Sequence, residues 1–383
     1  MDLVFTPEQQ AFRAEVRSWM AAHVPNAPLD TLEGRIGFDQ HVAWERTLAS
    51  GNWGMVTWPQ AYGGRGLDLI RWLIFEEEYW AAGAPLRANQ NGIFLLGPTI
   101  MEYGTDEQKA RFLTPMARGE IIWAQAWSEP EAGSDMAAIR ARAVREGDVY
   151  VINGQKTWSS RAAFADWCFG LFRTDPASAR HHGLSFILLA LDSPGVTVRP
   201  IRQLHGDTGF AEIFFDNVRV PAENRIAGEG EGWNVAMATA GFERGLMLRS
   251  PARFQAAAKR LVTLYDRHKH TSSPAAKDAV LQAWMDAEAY ALNTYSVASQ
   301  VIAGGKIGAE ASLNKIFWSE MDRAMHRAAM SLLGAAAELR TLPDGAPNVW
   351  LEGYIFSLSG PIYAGSNEIQ RNIVAERLLG LPR

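Results

Sequence analysis

The stretch best equipped for chemistry is Ala124-Gln125-Ala126-Trp127-Ser128-Glu129-Pro130-Glu131-Ala132-Gly133-Ser134-Asp135. It is a turn-rich loop leaving a short strand, with hydroxyls on Ser128 and Ser134 and bends at Pro130 and Gly133. Such a loop can offer backbone N–H groups and hydroxyls to a phosphate or to the polar edge of a ring. An ordinary surface loop has the same composition, so the loop alone fixes no ligand. Taken alone, Trp158 is a core tryptophan at the end of a hairpin strand. Several other chemistries are excluded, because the chain has no Walker A sequence, no Gly-x-Ser-x-Gly elbow and no His-Glu-x-x-His. Gly228-Glu229-Gly230-Glu231-Gly232 precedes a helix but lacks the spacing and βαβ context of a dinucleotide loop. His181-His182 and His268-Lys269-His270 have no clustered carboxylates and are solvated loop histidines rather than metal ligands. The single cysteine, Cys168, allows no disulfide and no Cys-based zinc site within one chain, and behaves as a small buried apolar residue.

The elements around these residues change character twice. Residues 1–120 are helical: Thr6 precedes Pro7 as an N-cap, and Phe12, Val16 and Met20 follow at helical spacing. Helices are also expected over 68–82 and from Asp106 to near Gly119. Residues 121–232 form a β domain. Val149–Ile152, an Asn153-Gly154 turn and Gln155–Trp158 predict a hairpin, and strands are expected over 184–191 and 212–221. Residues 233–383 are helical again, with one long pattern over 232–266 that contains Pro251, then 277–302, 310–337 and 366–379. The order helices, strands, helices predicts an α+β chain with a separate sheet domain. The length of 383 residues suits two to three domains. Hydrophobic residues at 48% and charged residues at 21% exclude a disordered chain. The 37 Lys+Arg against 42 Asp+Glu leave a net charge of −5, which argues against nucleic-acid binding and attraction to an anionic membrane. No run reaches the ~18 apolar residues of a spanning helix, and the start of the sequence lacks the apolar core of a secretory signal. A cytoplasmic protein without membrane insertion is expected.

The Ser128-Glu129-Pro130 and Ala132-Gly133-Ser134-Asp135 segments resemble the flavin-binding signature of the acyl-CoA dehydrogenase family. The resemblance continues through Gly147-Asp148 and Tyr150-Val151-Ile152-Asn153-Gly154-Gln155-Lys156-Thr157-Trp158. It returns in Ile362-Tyr363-Ala364-Gly365-Ser366-Asn367-Glu368-Ile369-Gln370-Arg371, and so covers essentially the whole chain. It implies an N-terminal helical domain, a β-barrel-like middle domain and a C-terminal four-helix bundle. It also implies FAD as cofactor, an acyl-CoA substrate and electron-transfer flavoprotein as acceptor. By position, Gln125, Ser128 and Ser134 would lie along the flavin and its pyrophosphate, with Ser134 also near CoA. Trp158 would pack on the isoalloxazine, and Ser160 would offer its hydroxyl to flavin N5. Ser366 and Glu368 would join the cofactor site.

In many members of that family the α-proton is taken by a Glu at the position that is Ala364 here, and a methyl group accepts no proton. The family's other location for the base is a Glu-Arg pair on the helix opening the C-terminal domain. Here Glu243-Arg244 stand there, so the resemblance makes Glu243 the base. Arg244 contacts CoA or is solvated, and the N–H of Ala364 remains available to the thioester oxygen. The family's Arg-x-x-Phe motif is missing from Asp266–Pro274, and its Gln-x-x-Gly-Gly segment is missing from Met330–Ala337. Both serve the adenine end of the cofactor across a subunit interface. A dimer or tetramer, heteromeric with a paralogous subunit, is therefore expected. Heteromeric members act on steroid side-chain, dicarboxylic or other bulky thioesters. Two alternatives stand beside this reading: a non-catalytic partner subunit, and a flavin monooxygenase or nitroalkane-oxidase-like enzyme on the same fold.

Overall fold

The computed structural model describes residues 4–244, 249–305 and 307–382, without the side chains of Glu243 and Arg244. The helices are α1 Pro7–His23, α2 Arg35–Ser50, α3 Leu69–Ala81, α4 Gly97–Tyr103, α5 Asp106–Ala117, α6 Gly232–Arg244, α7 Pro251–His268, α8 Pro274–Ile302, α9 Ala311–Leu333, α10 Val349–Ser357 and α11 Asn367–Ile373. The strands are β1 Trp123–Ala126, β2 Arg142–Glu146, β3 Val149–Ser160, β4 Trp167–Arg173, β5 Leu184–Ala190, β6 Val196–Ile201, β7 Phe210–Pro221 and β8 Arg225–Ile226. The chain divides into two compact units. One comprises residues 1–22, 68–84 and 244–383; the other comprises 23–67 and 85–243.

The first unit is helical. Thr6 begins α1 as expected: its hydroxyl accepts from Gln9 N–H, and Gln9 Oε1 accepts from Thr6 N–H, the reciprocal capping that satisfies two donors at a helix start. Phe254, Leu261, Tyr290, Trp318, Met325 and Leu332 form a buried core contributed by α7, α8 and α9. The pattern over 232–266 is not one helix. Pro251 begins α7 at its first turn, where its missing N–H costs no hydrogen bond, and α6 ends at Arg244. Residues 245–248 lie outside the described residues.

The second unit holds the sheet, in the order β6-β7-β3-β2-β4-β5-β8, with β1 added parallel to β4. Strand β5, Leu184–Ala190, is buried along nearly its whole length. That explains its unbroken apolar run, since a strand covered on both faces needs no alternation. The expected hairpin at Asn153-Gly154 does not occur. The chain runs straight through it as β3, and the tight turn lies earlier, where Glu146 pairs with Val149 across Gly147-Asp148. Gly147 has φ +62°, the left-handed conformation that two-residue hairpin turns demand. Asn153-Gly154 instead faces a bulge on β7: Ile152 pairs with Val218 and Gly154 with Phe215. Asn153 Oδ1 accepts from Asn217 N–H at 3.0 Å, and a Cβ on Gly154 would fall 2.6 Å from that of Ala141. The Asn-Gly signal therefore reports a close approach of neighbouring strands, not a chain reversal.

Candidate active site

In the sheet-bearing unit, the loop after β1 and the end of β3 are joined. Thr157 N–H donates to the Ser128 carbonyl at 2.8 Å. Glu129 and Ala132 exchange backbone hydrogen bonds of 3.1 and 3.0 Å around Pro130, a β-turn with Pro at its second position. Beyond the turn, Arg180 grips Asp135 with both terminal nitrogens at 2.8 and 2.9 Å. Gln125 and Ser128 are half-buried and Ser134 is exposed. Ser160 closes β3 opposite Phe210.

Trp158 is not a core residue. It is 61% exposed, its one aromatic contact among the described residues is edge-on to Phe210 at 6.1 Å, and its φ is +58°. The cause is a one-residue bulge. Lys156 pairs with Ile213 and Ser159 with Ala211, so β3 spends three steps where β7 spends two. Strand alternation would have placed Trp158 on the inner side with Tyr150, Ile152 and Lys156. The bulge turns it outward and sends Ser159 in. A large aromatic in the left-handed region costs about 1–3 kcal/mol, and such strain concentrates at ligand clamps. Trp158→Gly is expected to leave urea-unfolding stability at or above that of the parent, because glycine adopts this φ freely. A variant clearly less stable than the parent would show that the ring serves packing instead.

Two residues absent from the sequence-based candidates lock this loop to the sheet. Lys156 is fully buried, and its ammonium donates to Trp127 O at 3.1 Å, Glu129 Oε1 at 2.8 Å and Leu171 O at 2.7 Å. Glu129 accepts in addition from the N–H groups of Arg140 at 2.6 Å and Ala141 at 2.9 Å. Burial pushes the Lys156 ammonium below its ordinary range, and Glu129 opposes that shift. Cys168 is buried nearby, and burial pushes its thiol far upward, which removes it as a nucleophile. The one signal in the sequence is a lysine at an inward position of β3 among apolar residues.

Helix α6 carries Glu243 and Arg244 at its end; their side chains lie outside the described residues. One turn before Glu243, buried Thr239 places its hydroxyl 2.8 Å from that of Thr99, which fixes α6 against α4 within the unit.

The helical unit carries the Tyr363-Ala364-Gly365 turn. Ala364 and Gly365 have φ +56° and +78°, and both carbonyls accept from Gln370 Nε2, at 3.2 and 3.3 Å. The Ala364 N–H has no protein acceptor among the described residues. Ser366 caps α11 through Ile369 N–H. Glu368 is exposed, and hydrogen bonds from its own N–H and from the Ser366 side chain hold its carboxyl below the usual range. Asn367 anchors the turn, accepting from Lys315 Nζ at 2.8 Å and donating to Glu320 at 2.9 Å. No cluster of His, Cys, Asp or Glu among the described residues could hold a metal, and no helix there is long and apolar enough to cross a membrane.

Comparison with known proteins defines the class. Profiles of the acyl-CoA dehydrogenase N-terminal, middle and C-terminal domains match residues 6–120, 124–218 and 230–379. The chain belongs to the acyl-CoA dehydrogenase family, whose chemistry is the flavin-linked dehydrogenation of acyl-CoA. Among its relatives, the acyl-CoA dehydrogenase IpdE1 of Mycolicibacterium smegmatis is 41% identical, with 98% of each chain covered. FadE26 of Mycobacterium tuberculosis is 32% identical over 100% of this chain and 99% of that one. Among solved structures, the Tcur3481-Tcur3483 steroid acyl-CoA dehydrogenase aligns with a TM-score of 0.89 at 28% identity, and the ChsE4-ChsE5 complex of Mycobacterium tuberculosis with 0.85 at 32%. Each covers 100% of both chains.

Proposed function

We propose that the chain is the base-bearing subunit of a heteromeric acyl-CoA dehydrogenase that uses FAD and acts on a bulky, steroid-type CoA thioester. The observation that carries the flavin reading is Trp158, a strained and exposed aromatic beside the Ser128 loop, which suits stacking on a planar ring. FAD, when bound, supplies the acceptor for the hydride leaving Cβ, and electron-transfer flavoprotein then takes the electrons. Glu243 removes the proton from Cα, so that a double bond forms between the two carbons. The Ala364 N–H receives the thioester oxygen, where negative charge builds as the proton leaves. Ser160 offers its hydroxyl to N5, Gln125, Ser128 and Ser134 hold the cofactor along the loop, and Ser366 and Glu368 complete its site. Ser134 and Arg244 also contact CoA.

Two observations support a partner subunit. The sequence lacks the family's adenine-end motifs, and α8 and α9 expose Leu281, Trp284, Met285, Leu292, Leu313 and Phe317, apolar surface of the kind that marks association. The similar structures named as two-component complexes favour the same arrangement. The test is a visible absorption spectrum of the chain alone and co-expressed with a paralogous subunit, followed by anaerobic addition of a steroid-type acyl-CoA. The expected result is a flavin spectrum that bleaches only in the co-expressed assembly. Stoichiometric FAD and turnover in the isolated chain would overturn the heteromer. A colourless assembly would overturn the flavin reading.

A further inference from the structure

Lys156 has a use beyond pairing with Glu129. Its ammonium spends one hydrogen on the Trp127 carbonyl. The peptide unit joining Trp127 to Ser128 is trans and planar, so its N–H lies opposite its C=O. With the carbonyl held toward the fully buried ammonium, the Ser128 N–H points away from it. That N–H has no protein acceptor among the described residues. On the following peptide unit, the Ser128 carbonyl is taken by Thr157 N–H, one residue before Trp158. Both peptide units flanking Ser128 are thus fixed from β3, and one unused donor is left beside the exposed tryptophan.

We propose that Lys156 is a positioning residue for the flavin: by holding the Trp127 carbonyl it aims the Ser128 N–H at an acceptor on the polar edge of the flavin ring. The assignment rests on the flavin reading above. A fixed backbone donor at that edge favours the negative charge that reduction delivers, and it needs no reorganisation when the charge arrives. The role belongs to orientation rather than to the lysine's charge, since Glu129 at 2.8 Å leaves the pair neutral overall.

The test uses the FAD-loaded assembly and two variants. Lys156→Met removes the hydrogen bond to Trp127. The double variant Lys156→Met/Glu129→Gln removes it without changing the net charge, keeps an acceptor oxygen for one of the Arg140 and Ala141 N–H groups, and avoids leaving an unpaired buried carboxylate. For each variant that retains flavin, the equilibrium for reducing the bound cofactor is expected to become about tenfold less favourable. For a two-electron couple that is a fall of about 30 mV in midpoint potential. A purely structural lysine would lower thermal stability and FAD content but leave the potential of the loaded fraction unchanged, and that result overturns the assignment. On the parent protein, hydrogen exchange needs no variant: the Ser128 amide is expected to become protected when FAD is loaded, and equal exchange with and without FAD overturns the assignment too. A parent assembly that takes up no FAD would instead sink the flavin reading itself, which keeps the two failures apart.

Discussion

Glu243→Gln is expected to slow the bleaching of bound flavin by acyl-CoA by about 10²- to 10⁴-fold, the range a positioned general base contributes. The amide keeps the size and polarity of the carboxylate but has no basic oxygen, so FAD content and the affinity for acyl-CoA should stay near those of the parent. Stopped-flow absorbance under anaerobic conditions separates these quantities: the binding phase persists and the reduction phase collapses. The prediction follows from an absence and a presence. Ala364 lies on a turn whose carbonyls are pinned by Gln370, and its methyl cannot take the proton that α,β-dehydrogenation must remove. Glu243 lies in the last described turn of α6, one turn beyond the Thr99–Thr239 contact. An assembly carrying Glu243→Gln that reduces its flavin as fast as the parent assembly would assign the chemistry to the partner subunit, and this chain would be its non-catalytic companion.

Much of the architecture was legible because it depends on short-range rules. Thr6-Pro7 announced α1, the apolar run at Leu184 announced a strand, and the order helices, strands, helices survived intact. The misreadings occurred where a distant neighbour overrode a local signal. Asn153-Gly154 has the composition of a hairpin turn, yet Ala141 on one side and Asn217 on the other give it a different use. Apolar spacing continues on either side of Pro251 and carries no mark of the break between α6 and α7. Strand parity makes Trp158 a core residue, and one inserted residue against β7 reverses that parity. The loop after β1 was recognisable from its motif, but not what holds it. Glu129 and Lys156 are 27 positions apart, and nothing in either segment tells that the two side chains share a buried hydrogen bond.

That pair carries the largest expected effect on stability. Glu129→Ala leaves the Lys156 ammonium buried with only two carbonyl acceptors, and strips two backbone N–H groups of theirs. Removing one partner of a buried ion pair costs about 3–5 kcal/mol, a large part of the stability of a typical domain. The pH dependence identifies the cause. Burial already holds the folded-state pKa of Lys156 below its ordinary 10.5, so between the two values the unfolded chain binds the proton more tightly and stability rises with pH. Without Glu129 the folded-state value drops further and the window widens downward. The deficit of the variant relative to the parent should therefore be greatest near neutral pH and shrink on the alkaline side, as the buried ammonium sheds its proton. Urea unfolding of parent and variant at about pH 7 and about pH 9.5 reads this directly as the slope that linkage requires. A deficit equal at both values would trace the loss to the stranded N–H groups of Arg140 and Ala141. Glu129→Gln, whose single amide oxygen can serve one of those two groups, would then recover part of it at both pH values; if the uncompensated charge is the cause, Gln recovers little at neutral pH and the gap closes only as the pH rises.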